Sequence, residues 1–255
     1  MGEPGYFGET SVIDAMSAEH LYLWRTLFRA CEPHMRPGMR VLDFGCGNGS
    51  MLAYLMLGDG RKWPGWRCGS SVGIDRAAMN PVLAEAADRL GSTLPIVFSS
   101  APPRTFPKQF DLVMSHEVIY LLPALEKTFR ELHASLRTGG VIALATGCHG
   151  ENDLYSHWRK SFARVGVRAY RYRLADYTRA LADAGFEDID CRSLRLSVDE
   201  YDEWVGVRGE REPNPSWFRS ADEERRYYTE FGKALILARR TKHEKPIAAG
   251  RMGHS

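Results

Sequence analysis

Val41-Leu42-Asp43-Phe44-Gly45-Cys46-Gly47-Asn48-Gly49-Ser50 sets the reading of the whole chain. A short apolar run stops at a glycine-rich turn, and Met51-Leu52-Ala53-Tyr54-Leu55-Met56-Leu57 continues as a helix. Strand, tight loop and helix start follow one another directly. Glycine, lacking a Cβ, takes up unusual backbone angles and lets backbone amides approach a ligand closely at the positive end of a helix dipole. A glycine-rich loop alone is a weak signal, so the flanking sequence has to decide.

Upstream, Leu21, Trp24, Leu27, Phe28 and Cys31 recur at helical spacing, predicting an amphipathic helix from an N-cap at Ser17 to just before Pro33. Residues 1–16, with Tyr6 and Phe7 among glycines, read as a flap, so that 1–36 forms an N-terminal flap and helix. Pro37-Gly38 turns the chain into a strand over Arg40–Phe44. Downstream, Gly58–Gly69 is an inserted loop and Ser71–Asp75 a second strand ending in an acid. Asn80-Pro81 opens a helix with Val82, Leu83, Ala86, Ala87 and Leu90 on its buried face, Asn80 being the predicted cap. Further strands are expected at Pro95–Phe98, Phe110–Met114, Val141–Thr146 and Glu187–Leu196, with helices at Pro123–Arg137 and Ala175–Ala184. Residues 147–173 show no clear period. The charged, aromatic segment 198–231 reads as a lid with room for two helices, Lys233–Ala238 as the last strand, and 241–255 as a disordered tail. Alternating strand and helix periods predict an α/β fold, a doubly wound and mostly parallel sheet with helices on both faces, in a single domain over 1–240. Ligands of such sheets bind beyond the carboxyl ends of the strands.

Composition narrows the function classes. The 34 basic and 32 acidic residues leave a formal charge of +2, so no global field draws the chain to nucleic acid or membrane. The hydrophobic fraction of 44% suits a globular protein, and no run approaches the ~20 apolar residues of a membrane span. Met1-Gly2-Glu3-Pro4-Gly5 lacks signal-peptide character, so a cytoplasmic location is expected. Five scattered cysteines without C-x-x-C spacing suggest neither a disulfide framework nor a metal site. Cys46, inside the loop, has no activating neighbour in sequence and reads as a small residue tolerated between glycines.

Four motifs now stand in order: V-L-D-F-G-C-G-N-G-S at 41–50, V-G-I-D at 72–75, F-D-L-V-M-S-H-E at 110–117 and L-R-T-G-G-V-I-A-L at 136–144. Together they resemble the class I S-adenosylmethionine-dependent methyltransferases, strongly over Val41–Ala145 and more loosely over Ala175–Leu196 and Lys233–Arg239. The resemblance implies a seven-stranded Rossmann-like sheet with an antiparallel last strand beside strand five, and S-adenosylmethionine as cofactor. It places Asp43, Gly45, Cys46, Gly47, Gly49, Asp75, Arg76, Ser100, Ser115 and His116 at the cofactor. A carboxylate such as Asp43 attracts a cationic amino group or sulfonium, and Asp75 suits the ribose hydroxyls. A nicotinamide-binding fold fits less well, since its loop is G-x-G-x-x-G and this one is G-C-G-N-G. The family's acid after strand three is replaced here by Ser99-Ser100-Ala101, which leaves adenine contacts to Ser100 or the Ala101 backbone.

Methyl transfer needs the acceptor held in line with the sulfonium methyl, and sometimes a base. His116 and His149 are the candidate bases; Tyr6, Glu117, Asn152, Tyr155, Tyr170 and Tyr172 are the candidate substrate contacts. Arg159, Lys160, Arg164, Arg168, Arg171 and Arg173 fall in one stretch without acids, interleaved with Phe162, Tyr170 and Tyr172. Such a run binds nucleic acid, or a small carboxylate or phosphate, or simply faces solvent. The neutral overall charge favours a small, anionic acceptor, with S-adenosylhomocysteine as product; no nucleic-acid or membrane partner is expected. Transfer of the aminocarboxypropyl group or cyclisation of the cofactor, either leaving methylthioadenosine, is the first alternative. A non-catalytic cofactor binder and an RNA methyltransferase are the others.

Overall fold

The computed structural model describes residues 10–60, 62–208, 213, 215 and 217–241; of residues 10–19, 207 and 208 only the backbone is described. The strands are β1 (Val41–Phe44), β2 (Ser71–Ile74), β3 (Ile96–Ser99), β4 (Phe110–His116), β5 (Leu136–Thr146), β6 (Glu187–Leu194) and β7 (Lys233–Arg239). They form one seven-stranded sheet in the order β3-β2-β1-β4-β5-β7-β6. The first five pair in parallel, whereas β7 runs antiparallel to both β5 and β6. The predicted doubly wound sheet with its antiparallel last strand is therefore present. Chain order reverses between β1 and β4, and the carboxyl ends of those two strands flank the crevice where sheets of this kind hold ligands.

Eight α-helices accompany the sheet among the described residues: α1 (Thr10–Cys31), α2 (Ser50–Leu57), α3 (Asn80–Leu90), α4 (Leu125–Ser135), α5 (Tyr155–Arg164), α6 (Leu174–Asp183), α7 (Val198–Arg208) and α8 (Ala221–Arg226). Strand alternation sorts the core into two layers. Val141, Ala143 and Ala145 of β5 join Leu27, Phe28, Leu52 and Leu55 of α1 and α2. Ile142 and Leu144, pointing the other way, join Phe129, Leu132 and Leu181 of α4 and α6. Both faces are dry, as parallel strands require. A third buried cluster, with Tyr120, Cys148, Tyr155, Trp158, Tyr201, Trp204, Tyr227 and Tyr228, packs the segment after β6 against α5 and the turn after β4.

Several expectations need correcting. The chain is already helical at Thr10, the first described residue, and Ser17 lies inside α1 and does not cap it, because residues 10–16 hold neither glycine nor proline to interrupt it. Asn80 does not cap α3: it is already helical (φ −50°, ψ −39°) and follows a short 3-10 turn over Ala77–Met79. Strand β4 runs on to His116, whose partner is Ala145, so Ser115 and His116 belong to the strand itself. Residues 147–173 contain α5, whose buried Tyr155, Trp158 and Phe162 make an apolar stripe. Residues 198–231 carry α7, α8 and a five-residue π turn, Tyr227–Phe231. Tyr6, Phe7 and residues 242–255 lie outside the described residues.

Candidate active site

The glycine loop joins β1 to α2 with Gly45, Gly47 and Gly49 at φ 81°, 54° and 76°. L side chains rarely adopt these angles. Two of the glycines are also required by packing. A Cβ on Gly45 would stand 2.2 Å from Val118, and one on Gly49 would stand 2.5 Å from the Phe98 ring. The loop is thus bent and pressed onto the residues after β4 and on β3, which leaves its backbone amides at the crevice. Asp75 braces it: Oδ2 accepts from the Gly47 N–H at 2.9 Å and Oδ1 from the Arg76 N–H at 2.8 Å. Burial raises the Asp75 carboxyl above its usual range despite these two bonds.

Asp43 differs in having no internal partner. It is 1% exposed, and both carboxylate oxygens are buried without a hydrogen bond. Burial, and then the neighbouring Asp75 charge, push its pKa well above the ordinary carboxylate range. Buried polar groups in folded proteins are normally satisfied, so an orphaned carboxylate at the mouth of a glycine loop calls for a cationic or proton-donating ligand. The residues present fit the ammonium end of S-adenosylmethionine at Asp43 and a diol at Asp75.

The other predicted cofactor residues divide. Ser115 is fully buried and its Oγ donates to the Phe44 carbonyl at 2.8 Å, tying β4 to the end of β1. Cys46 packs its thiol with Met79, Val82 and Leu83, and burial followed by the Asp43 and Asp75 charges raises the thiol well above its usual range. Its backbone shapes the loop while its sulfur stays protonated. Arg76 and Ser100 are exposed at the ends of β2 and β3.

At the end of β4, His116 is fixed by α1. The Trp24 Nε1–H donates to His116 Nδ1 at 3.2 Å, and the His20 ring meets it edge-on at 4.7 Å. Indole only donates, so Nδ1 is the acceptor and Nε2 carries the proton. That Nε2 is buried without a partner. Burial, Lys233 and His20 hold the ring well below its usual basicity; it is a neutral hydrogen-bond donor, which argues against the general base expected from sequence. His149 is also neutralised by burial, opposed by Glu151 at 3.3 Å.

Glu117 adopts φ 58°, unusual for a residue with a side chain. Its Oε1 accepts from the Gly147 N–H and from Lys233 Nζ, both at 2.7 Å. Lys233, 4% exposed, was missed as a site residue because it opens an otherwise apolar strand. Tyr227 and Tyr177 were missed as well; their hydroxyls are buried and unpartnered. Asn152 is held by the backbone: Nδ2 donates to the Gly147 carbonyl at 2.7 Å and Oδ1 accepts from the Leu154 N–H at 2.9 Å. The Oδ1 bond is an Asx turn leading into α5, and one N–H and one lone pair of the amide are left over. Tyr172 likewise donates its hydroxyl to the Leu122 carbonyl at 2.7 Å. Tyr170 stacks on it at 5.9 Å and carries Arg168 over its ring at 4.6 Å. The Tyr155 ring is buried in the third cluster with Arg171 above it at 5.8 Å.

Covering elements converge on this region. Glu200 of α7 pairs with Arg25 at 3.4 Å and Arg29 at 3.0 Å, holding α1 against α7. The Tyr170 N–H donates to the Tyr120 carbonyl and the Gly150 N–H to the Tyr172 carbonyl, which lays the end of the basic run across the ends of β4 and β5. All six of its cations are exposed. No described group of His, Cys, Asp and Glu could hold a metal ion, and no described helix is long and apolar enough to cross a membrane.

Comparison with known proteins agrees with this geometry. The tRNA U34 carboxymethyltransferase of Ectopseudomonas mendocina is 31% identical over 204 residues, covering 71% of this chain and 57% of that protein. The enzyme of the same name from Methylococcus capsulatus is 35% identical over 126 residues, covering 48% of this chain and 36% of that protein. The chain therefore spans between a third and three fifths of the length of these curated relatives. Among solved structures, a methyltransferase in complex with the Haloferax volcanii Trm112 methyltransferase activator superposes with a TM-score of 0.70 at 21% identity, covering 94% of this chain and 99% of that one. Geranyl diphosphate C-methyltransferase from Streptomyces coelicolor gives a TM-score of 0.59 at 17% identity, covering 84% and 77%. The family model described as methyltransferase domain matches residues 17–190, more than half of the chain, and this protein belongs to that family, within the class I S-adenosylmethionine-dependent methyltransferases.

Proposed function

We propose that the protein transfers a methyl group from S-adenosylmethionine to a small, anionic acceptor. The cofactor supplies an electrophilic sulfonium methyl; the chain's part is to hold it and to position the acceptor in line. In this reading Asp43 takes the cofactor's ammonium, Asp75 its ribose, and the loop amides line its methionine portion. One observation carries the size of the acceptor: the ends of β4 and β5 are covered by α1, by α5 and by the segment holding Tyr227, with Trp24, Trp158 and Tyr227 all buried there. A covered, aromatic-walled site suits a small molecule. Incubating the full chain with S-adenosylmethionine and a metabolite panel, then identifying the cofactor-derived product by mass spectrometry, tests it. S-adenosylhomocysteine together with an acceptor heavier by one methyl is expected. Methylthioadenosine, or no product from any acid in the panel, would overturn it.

A second reading is favoured by a separate observation. The exposed cations from Arg159 to Arg173 and the stacked Tyr170–Tyr172 pair form a basic, aromatic surface beside the site, and the curated relatives carry the name of tRNA-modifying enzymes. Phosphate neutralisation and base stacking would place an RNA there. Tight RNA binding that falls steeply with salt, and a labelled group transferred to RNA, would displace the small-molecule reading.

A further inference from the structure

We infer that Glu117, Lys233, Thr146, Tyr177 and Tyr227 form a subsite for a carboxylate-class oxyanion on the acceptor. The inference rests on the proposed methyl-transfer reading only for the word acceptor; the recognition chemistry stands on the geometry below.

The subsite begins with a hydrogen-bond imbalance. Lys233 Nζ carries three protons and makes one side-chain hydrogen bond among the described residues, to Glu117 Oε1. Its side chain is nonetheless only 5% exposed. Thr146 Oγ1, Tyr177 Oη and Tyr227 Oη are buried with no partner at all, at 0%, 0% and 3% exposure. Glu117 Oε1 is saturated by Lys233 and the Gly147 N–H, while its Oε2 is the one carboxylate oxygen of this group without a recorded bond among the described residues. Two ammonium protons and three hydroxyl protons thus lack a partner among the described residues, and Glu117 Oε2 is the one free anionic acceptor beside them.

Two of those donors, Lys233 and Tyr227, meet around Gly147 and Glu117. The Tyr227 hydroxyl lies against Gly147, where a Cβ would stand 2.2 Å from it, and Trp158 closes the same spot at 3.1 Å. Gly147 is the residue whose N–H holds Glu117, and Thr146 precedes it in the chain. Tyr177 and Tyr227 both feel the Glu117 charge, which adds to burial in keeping their hydroxyls protonated. Tyr227 is presented by the π turn, a rare conformation that recurs at functional sites.

Leaving several buried donors unmade is costly. A ligand amine would add a donor to a surplus of donors and meet the Lys233 charge with its own. A neutral amide would offer one acceptor and bring two further donors. A carboxylate offers acceptor positions only and suits the Lys233 ammonium and the hydroxyls, while Glu117 serves to hold Lys233 and does not itself touch the anion. Arg171, above the Tyr155 ring, adds positive charge at the outer edge.

The test uses benzoate, benzamide and benzylamine, one ring with three head groups, titrated calorimetrically into the full chain with and without S-adenosylhomocysteine. Benzoate is expected to bind about tenfold or more tighter than benzamide, the factor for one charge-assisted hydrogen bond, with no binding of benzylamine. Tyr227→Phe, which removes one oxygen, should weaken benzoate by about fivefold or more and leave the S-adenosylhomocysteine affinity unchanged. Equal affinity for benzoate and benzamide, preference for benzylamine, or an unaffected Tyr227→Phe variant would overturn the subsite and leave these hydroxyls to ordered water. Loss of S-adenosylhomocysteine binding by the wild type would instead refute the cofactor reading, while the benzoate comparison without it still decides the subsite.

Discussion

Replacing Asp43 by asparagine should make the empty protein more stable and worse at holding its cofactor. The side chain keeps its shape and loses its charge. In the wild type both oxygens are buried without a partner and the group binds protons more tightly than in an unfolded chain. With a raised native pKa, the folded state holds more protons than the unfolded one, so wild-type stability falls as pH rises above the ordinary carboxylate range. Removing the buried, uncompensated charge, with the amide left as unpaired as the carboxyl was, is worth about 1–3 kcal/mol, which for a chain of this size is a Tm rise of roughly 2–10 °C. The advantage should shrink as pH falls from about 7 and level off below about pH 4, where Asp43 becomes protonated in both states. Affinity should move the other way: a charge-assisted hydrogen bond of about 1.5–3 kcal/mol corresponds to a roughly tenfold to hundredfold loss. Thermal melts of the empty chain and calorimetry with S-adenosylhomocysteine measure both. A variant that melts lower than wild type and binds equally well would mean that Asp43 is satisfied inside the protein and serves the fold alone.

The remaining predictions concern other parts of the site. Gly45→Ala forces a Cβ to 2.2 Å from Val118 at φ 81° and should lower stability by roughly 1–3 kcal/mol in urea titrations; an unchanged midpoint would show that Val118 moves aside. Lys233→Met strands the Glu117 charge and is expected to cost about 3–5 kcal/mol, most of it recovered when Glu117→Gln is added; additive losses in the double-mutant cycle would deny the coupling. Burial depresses His116 and His149, so the folded chain binds fewer protons than the unfolded one below about pH 6.5, and stability should drop as pH falls through that point. His116→Asn should flatten the slope, and a slope identical to wild type would count against a buried neutral His116. Reversing Lys160, Arg164 and Arg168 to glutamate should leave S-adenosylhomocysteine and benzoate affinity unchanged, while any RNA affinity in filter-binding assays falls.

Much of the fold could be read from periodicity and a little of the site. Strands such as Val141–Thr146 alternate between two buried layers, and their apolar runs are visible in one dimension. The glycine loop was legible because backbone angles dictate residue type; its packing reason, Val118 against Gly45 and Phe98 against Gly49, was not, since those contacts cross from one strand to another. Helix α5 was legible in principle, with Tyr155, Trp158 and Phe162 at helical spacing, but the cations between them masked the stripe. Asn152 shows a different limit: its amide suits a ligand equally well, and only the Gly147 carbonyl and Leu154 N–H reveal that the backbone has taken it. Glu117 and Lys233 stand 116 residues apart, a separation with no trace in local pattern.

That separation also orders events during synthesis. Domains begin to fold from their N-terminal side as the chain emerges, at about 5–20 residues per second, so the glycine loop and β4 exist well before Lys233 is made. Until β7 arrives between β5 and β6, the free edge of β5 lacks its ladder and Glu117 has no counter-ion. In the proposed reading the cofactor half precedes the acceptor half during synthesis, and β7 both closes a sticky sheet edge and delivers the ammonium group of the inferred subsite.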